Sequence, residues 1–111
     1  MSKSVITTHI LDTSIGKPAQ DVQVKLFQLQ GEAWELLAES KTDVDGRIMQ
    51  WSVADERLPF GTYKLHFDIE SYVGEQSFYP FAEIVFRRSD ERHHHIPLLL
   101  TPFGYSTYRG S

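Results

Sequence analysis

Three consecutive histidines, His93, His94 and His95, stand before Ile96-Pro97-Leu98-Leu99-Leu100, and a fourth, His9, lies near the start of the chain. Alternate side chains of a strand point to opposite faces. If Ile96, Leu98 and Leu100 face a core, His93 and His95 project together from the other side. An imidazole titrates near neutral pH, so such a pair can take and give protons. Two histidines at i and i+2, joined by His9, would equally supply the three ligands of a catalytic zinc site. The plainest alternative is a polar strand surface. Arg47 follows the turn Asp43-Val44-Asp45-Gly46; its forked guanidinium suits a carbonyl or an anion, or stands as a solvated charge. Asp-x-Asp-Gly shares its start with a calcium loop but lacks the other ligands and the closing glutamate.

The elements that must position these residues show a period of two, the signature of strands. In residues 62–69, Tyr63, Leu65, Phe67 and Ile69 share one face, and Thr62, Lys64, His66 and Asp68 the other. Residues 22–29, 81–88 and 5–12 alternate likewise, the last with Ile6, Thr8 and Ile10 together and Thr7, His9 and Leu11 opposite. Turn chemistry separates the segments at Gly16-Lys17-Pro18, Gln30-Gly31, Asp43 to Gly46, Leu58-Pro59-Phe60-Gly61 and Ser89 to Arg92. One helical turn capped by Ser52 is expected over residues 52–57, and two turns over 70–78, the latter weakened by Gly74. The pattern predicts an all-β sandwich or barrel in one domain spanning residues 1–111. The end, Tyr105-Ser106-Thr107-Tyr108-Arg109-Gly110-Ser111, keeps two tyrosines and an arginine in alternation, so an ordered tail is expected.

The 111 residues carry 15 acidic and 11 basic side chains, a formal net charge of −4, which gives no basic surface for a phosphate backbone. Nucleic acid is therefore not an expected partner. No apolar run approaches a membrane span or a signal-peptide core. Cysteine is absent, which removes thiol chemistry and suits a reducing compartment; a cytoplasmic protein is expected. Neither a Gly-x-Ser-x-Gly elbow nor a phosphate-binding glycine loop occurs.

Taken together, Thr7-Thr8-His9-Ile10-Leu11-Asp12-Thr13 with Gly16-Lys17-Pro18-Ala19, the stretch from Thr42 to Arg47, His95-Ile96-Pro97-Leu98-Leu99-Leu100-Thr101-Pro102 and the closing Tyr-Arg-Gly-Ser closely resemble the 5-hydroxyisourate hydrolases. These are the enzyme branch of the transthyretin-like proteins. The hormone-carrying branch lacks the terminal tetrapeptide, the two histidines and the arginine. The resemblance implies a two-sheet prealbumin-like (transthyretin-like) sandwich with one short helix, and a homotetramer built as a dimer of dimers. It implies sites where dimers meet, with His9, Arg47, His95 and Ser111 catalytic and His9, Arg47, Tyr108, Arg109 and Gly110 binding a purine-derived small molecule. The implied reaction opens the six-membered ring of 5-hydroxyisourate at an amide, without metal or other cofactor. An arginine in the site also disfavours a zinc ion close by, because the two cations repel. A small-molecule carrier on the same scaffold is the alternative.

Overall fold

Apolar side chains at alternate positions let two sheets bury one face each against the other. The computed structural model describes residues 3–110. The strands are β1 (Ile6–Asp12), β2 (Lys17–Pro18), β3 (Gln23–Gln30), β4 (Ala33–Lys41), β5 (Arg47–Ile48), β6 (Gly61–Asp68), β7 (Phe81–Arg88), β8 (His94–Thr101) and β9 (Gly104–Thr107), with one α-helix, α1 (Glu70–Val73). One sheet runs β2-β1-β8-β9 with β5 also paired to β1; the other runs β4-β3-β6-β7. The expected all-β, two-sheet sandwich with one short helix is the fold observed.

Between the sheets lie Ile6, Ile10, Val24, Leu26, Tyr63, Leu65, Phe67 and Leu98, all fully buried. Each comes from a face that alternation assigns to the core. The buried Trp51 indole donates to the Ile6 carbonyl at 2.9 Å, so its polar edge is satisfied where burial would otherwise be costly. Along β7 the alternation weakens: Ala82 is buried, whereas Ile84 and Phe86 are half-buried. As the last strand of its sheet, β7 is covered only in part by the facing layer.

Two local expectations are corrected, and one strand lies outside them. The turn after Ser52 is a short 3-10 helix at Asp55–Arg57, preceded by Ala54 and with no side-chain cap. Helix α1 stops after one turn, at Gly74, whose φ of 116° a residue with a side chain rarely adopts. Strand β4 is not signalled by periodicity, since Ala33, Trp34, Leu36, Leu37 and Ala38 do not alternate. A register shift beside Leu26 and Phe27 pairs them with Ala38 and Leu36, leaving Leu37 as the extra residue of a bulge.

The turn before β5 is held by Asp43. Its Oδ1 accepts from the backbone N–H groups of Asp45 and Arg47, both at 2.9 Å, while Gly46 N–H reaches the Asp43 carbonyl. Gly46 has φ +73°, and a Cβ there would lie 2.5 Å from the Ile10 carbonyl oxygen. Among the described residues no helix is long and apolar enough to cross a membrane. Gly46→Ala combines left-handed strain with a backbone clash and should cost ~2 kcal/mol or more; denaturant unfolding monitored by Trp fluorescence measures it, and an unchanged midpoint would contradict this account of the turn.

Candidate active site

Strand β1 forms one side of the site because it pairs along both edges. On one edge it runs parallel to β8, with Thr7 opposite His95; on the other it runs antiparallel to β5, with His9 opposite Arg47. Directly opposed residues share a face and lie close together. Thr7, His9, His95 and Arg47 therefore occupy one contiguous patch, on the side of the sheet away from the core. The His9 and His95 ring centroids are 6.5 Å apart, and those of His93 and His95 are 6.0 Å apart. The expected grouping of His93 with His95 is observed, and His94 turns to the buried side with Ile96.

Hydrogen bonds fix the rings. The fully buried Thr7 hydroxyl lies 2.7 Å from His95 Nδ1 and 2.8 Å from His93 Nε2. Nε2 of His95 has no hydrogen-bond partner among the described residues. His9 is half-buried, with the Asp45 backbone near enough to favour its protonated form. Arg47 is exposed and pairs with no carboxylate among the described residues. Asp43 and Asp45 are near enough to His9 to act on its charge.

All the imidazoles here resist protonation. Burial lowers the His9 pKa below its ordinary 6.5, the Arg47 charge lowers it further, and the Asp45 hydrogen bond with the charges of Asp43 and Asp45 opposes them. His95 is lowered by burial, then by His93, His9, Arg47 and Lys3. His93 is lowered by burial, Lys3 and His94. His94 is lowered chiefly by burial and by Arg109, against a hydrogen bond to the Arg92 carbonyl. Among the described residues no three His, Asp or Glu side chains converge with the spacing a metal ion would take.

The tail is ordered as far as it is described. Gly110 bridges His95, its N–H donating to the His95 carbonyl at 2.8 Å, and a Cβ on Gly110 would come within 2.5 Å of the His95 ring. Only glycine lets the tail lie this close to the imidazole. Tyr108 is exposed. Arg109 is not brought to the histidine face in this chain: its Nη2 lies 3.5 Å from His94 Nε2 and 3.7 Å from Asp90 Oδ1. Ser111 lies outside the described residues. A cavity of about 260 Å³, lined by Ile84, Phe86, His94, His95, Tyr108 and Arg109, opens at the edge of the sandwich; neither His9 nor Arg47 lines it. Sequence reasoning assigned no role to Thr7, although it shares the parity of His9.

Fold and site define a prealbumin-like sandwich carrying two half-buried, neutral-leaning imidazoles and, on the same sheet face, a guanidinium that pairs with no carboxylate among the described residues. The chain belongs to the HIUase/Transthyretin family, whose profile matches residues 6–110. It is 45% identical to 5-hydroxyisourate hydrolase of Mus musculus over 97% of this chain and 96% of that protein. The solved 5-hydroxyisourate hydrolase of Klebsiella pneumoniae superposes with a TM-score of 0.81 at 41% identity, covering 96% of this chain and 98% of that one. Sea bream transthyretin in complex with thyroxine superposes with a TM-score of 0.85 at 32% identity, over 95% and 93% of the two chains.

The lowered histidine pKa values set a sign for stability. The unfolded chain takes up protons near the ordinary 6.5, and the folded chain only at lower pH. Stability from these groups is complete above 6.5 and is lost as pH falls through the folded values. Denaturation midpoints should drop between neutral and mildly acid pH; a midpoint that rises there would contradict the assigned burial.

Proposed function

We propose that the chain is a 5-hydroxyisourate hydrolase, a cyclic amide hydrolase of urate breakdown that works on its substrate without metal. The observation that carries this reading is the convergence of His9, Arg47 and His95 on one face, in a chain whose relatives bear that enzyme's name. Neutral His9 takes a proton from water as its oxygen attacks the ring amide carbonyl. Arg47 holds the developing negative charge on the carbonyl oxygen. The carbon–nitrogen bond then breaks as the His9 imidazolium passes its proton to the leaving nitrogen, while neutral His95 donates a hydrogen bond from Nε2 to the substrate. The product is 2-oxo-4-hydroxy-4-carboxy-5-ureidoimidazoline, on the route to allantoin. The proton taken from water is the one that reaches nitrogen, so His9 ends the cycle neutral, as it began.

The remaining assignments concern the tail and the assembly. Gly110 packs on His95 beside Tyr108, which borders the substrate, and Arg109 anchors the tail through Asp90 and His94; Ser111 is assigned a catalytic role from the family pattern. The exposed histidine face is completed in a homotetramer, a dimer of dimers, whose neighbouring dimer closes the site against bulk water. The enzyme acts as one domain over residues 1–111 in the cytoplasm, with neither nucleic acid nor membrane as partner. A carrier for an apolar ligand would have no task for two imidazoles and a guanidinium turned to one surface.

The test generates 5-hydroxyisourate from urate with urate oxidase and follows its absorbance decay with and without the protein. His9→Ala and His95→Ala should each lower kcat by about 10²-fold or more with the fold retained. A variant of either residue with near-full turnover would remove that residue from the mechanism. Because His9 must be neutral, the rate should fall as acid protonates it, with a midpoint below the ordinary 6.5; a profile flat from neutral into acid would contradict a histidine base. Stoichiometric zinc in untagged active protein, with activity lost on chelation, would overturn the metal-free assignment.

A further inference from the structure

The Thr7 hydroxyl has one proton to donate and lone pairs to accept with, and it contacts two ring nitrogens at once: His95 Nδ1 at 2.7 Å and His93 Nε2 at 2.8 Å. Two neutral rings could both donate to Thr7, but its buried proton would then lack an acceptor among the described residues; with that proton bonded as well, only two arrangements satisfy both contacts. In one, His93 Nε2–H donates to Thr7, Thr7 donates to His95 Nδ1, and the His95 proton sits on Nε2. In the other every bond reverses, and both rings carry their proton on Nδ1. The two imidazoles must therefore hold the same tautomer, though they never touch.

We propose that Thr7 and His93 are positioning residues that hold His95 in the Nε2–H form and so present a hydrogen-bond donor to the substrate side. The inference rests on the hydrolase reading above for its function, but not for its geometry. Three observations select this arrangement. It places both rings in the tautomer that free histidine prefers in water. It aims the His95 proton at the one ring nitrogen with no partner among the described residues. It also leaves the roles divided, since burial and the Arg47 charge hold the His9 ring neutral as the base. The chain of donors from His93 through Thr7 to His95 polarises in one direction, so each bond strengthens the next. Thr7 is fully buried, and neither contact exchanges freely with solvent. Gly110 lies against the Cδ2 edge of the His95 ring, opposite the edge that bonds Thr7.

Two-bond proton–nitrogen NMR spectra of the nitrogen-15-labelled full chain, recorded above the histidine titration range, report which nitrogen of each ring bears the proton. The wild-type chain should show Nε2–H at both His93 and His95. Thr7→Val keeps the shape and removes the hydroxyl; it should leave mixed tautomers at both rings and lower kcat by about 10-fold or more, with KM little changed. Thr7→Ser should restore both the tautomers and the rate. Should Thr7→Val fail to fold, His93→Phe removes the donor alone and should release the His95 tautomer. An Nδ1–H proton on either wild-type ring, or unchanged tautomers in the Thr7 or His93 variant, would overturn the proposal. A wild-type chain that does not hydrolyse 5-hydroxyisourate would defeat the hydrolase reading, and the spectra would still decide the coupling.

Discussion

Strand β1 has no free edge along its centre, and the site exists because of that. Its parallel pairing with β8 sets Thr7 beside His95, and its antiparallel pairing with β5 sets His9 beside Arg47. Shifting either register by one residue would turn the facing side chains to the opposite side of the sheet. The core enforces the β1–β8 register, since Ile6, Ile10, Leu98 and Leu100 would otherwise leave the interior. The β5 register depends instead on a two-residue strand, so it needs the Asp43 cap and the close passage of Gly46 over Ile10. Packing on one face thus decides chemistry on the other.

The same arrangement gathers positive charge. Arg47 acts on both His9 and His95, and Lys3 on His93 and His95. With burial added, protonation of the rings is disfavoured, which keeps imidazoles neutral at the pH where a base must be neutral to work. A substrate bearing partial negative charge on its carbonyl oxygens would meet a guanidinium that no carboxylate holds among the described residues. Asp43, on the turn that leads into Arg47, has one carboxylate oxygen held by backbone N–H groups.

Strict alternation made most of the fold legible: β6, with Tyr63, Leu65 and Phe67 buried, and β8, with His93 and His95 opposite the core, follow from residue types alone. Strand β4 escaped because a bulge at Leu37 breaks its period. Helix α1 is shorter than its polar run suggests because Gly74 adopts a backbone that ends it. The site was legible residue by residue but not as a place. Parity puts His9 and His95 off the core, yet only strand order brings them within 6.5 Å; the family resemblance, not periodicity, joined them to Arg47. Thr7 was illegible for the same reason, since a hydroxyl between two imidazoles is a property of the β1–β8 register.

The account depends most on His9, Arg47 and His95 engaging one bound molecule together. Side-chain NMR of the labelled full chain, titrated with a stable planar urate analogue, tests this directly. The ring resonances of His9 and His95 and the guanidinium resonance of Arg47 should shift along a single binding isotherm, and Arg47→Ala should weaken that isotherm for both rings. Shifts confined to one of the three, or separate isotherms for the two histidines, would contradict a shared site.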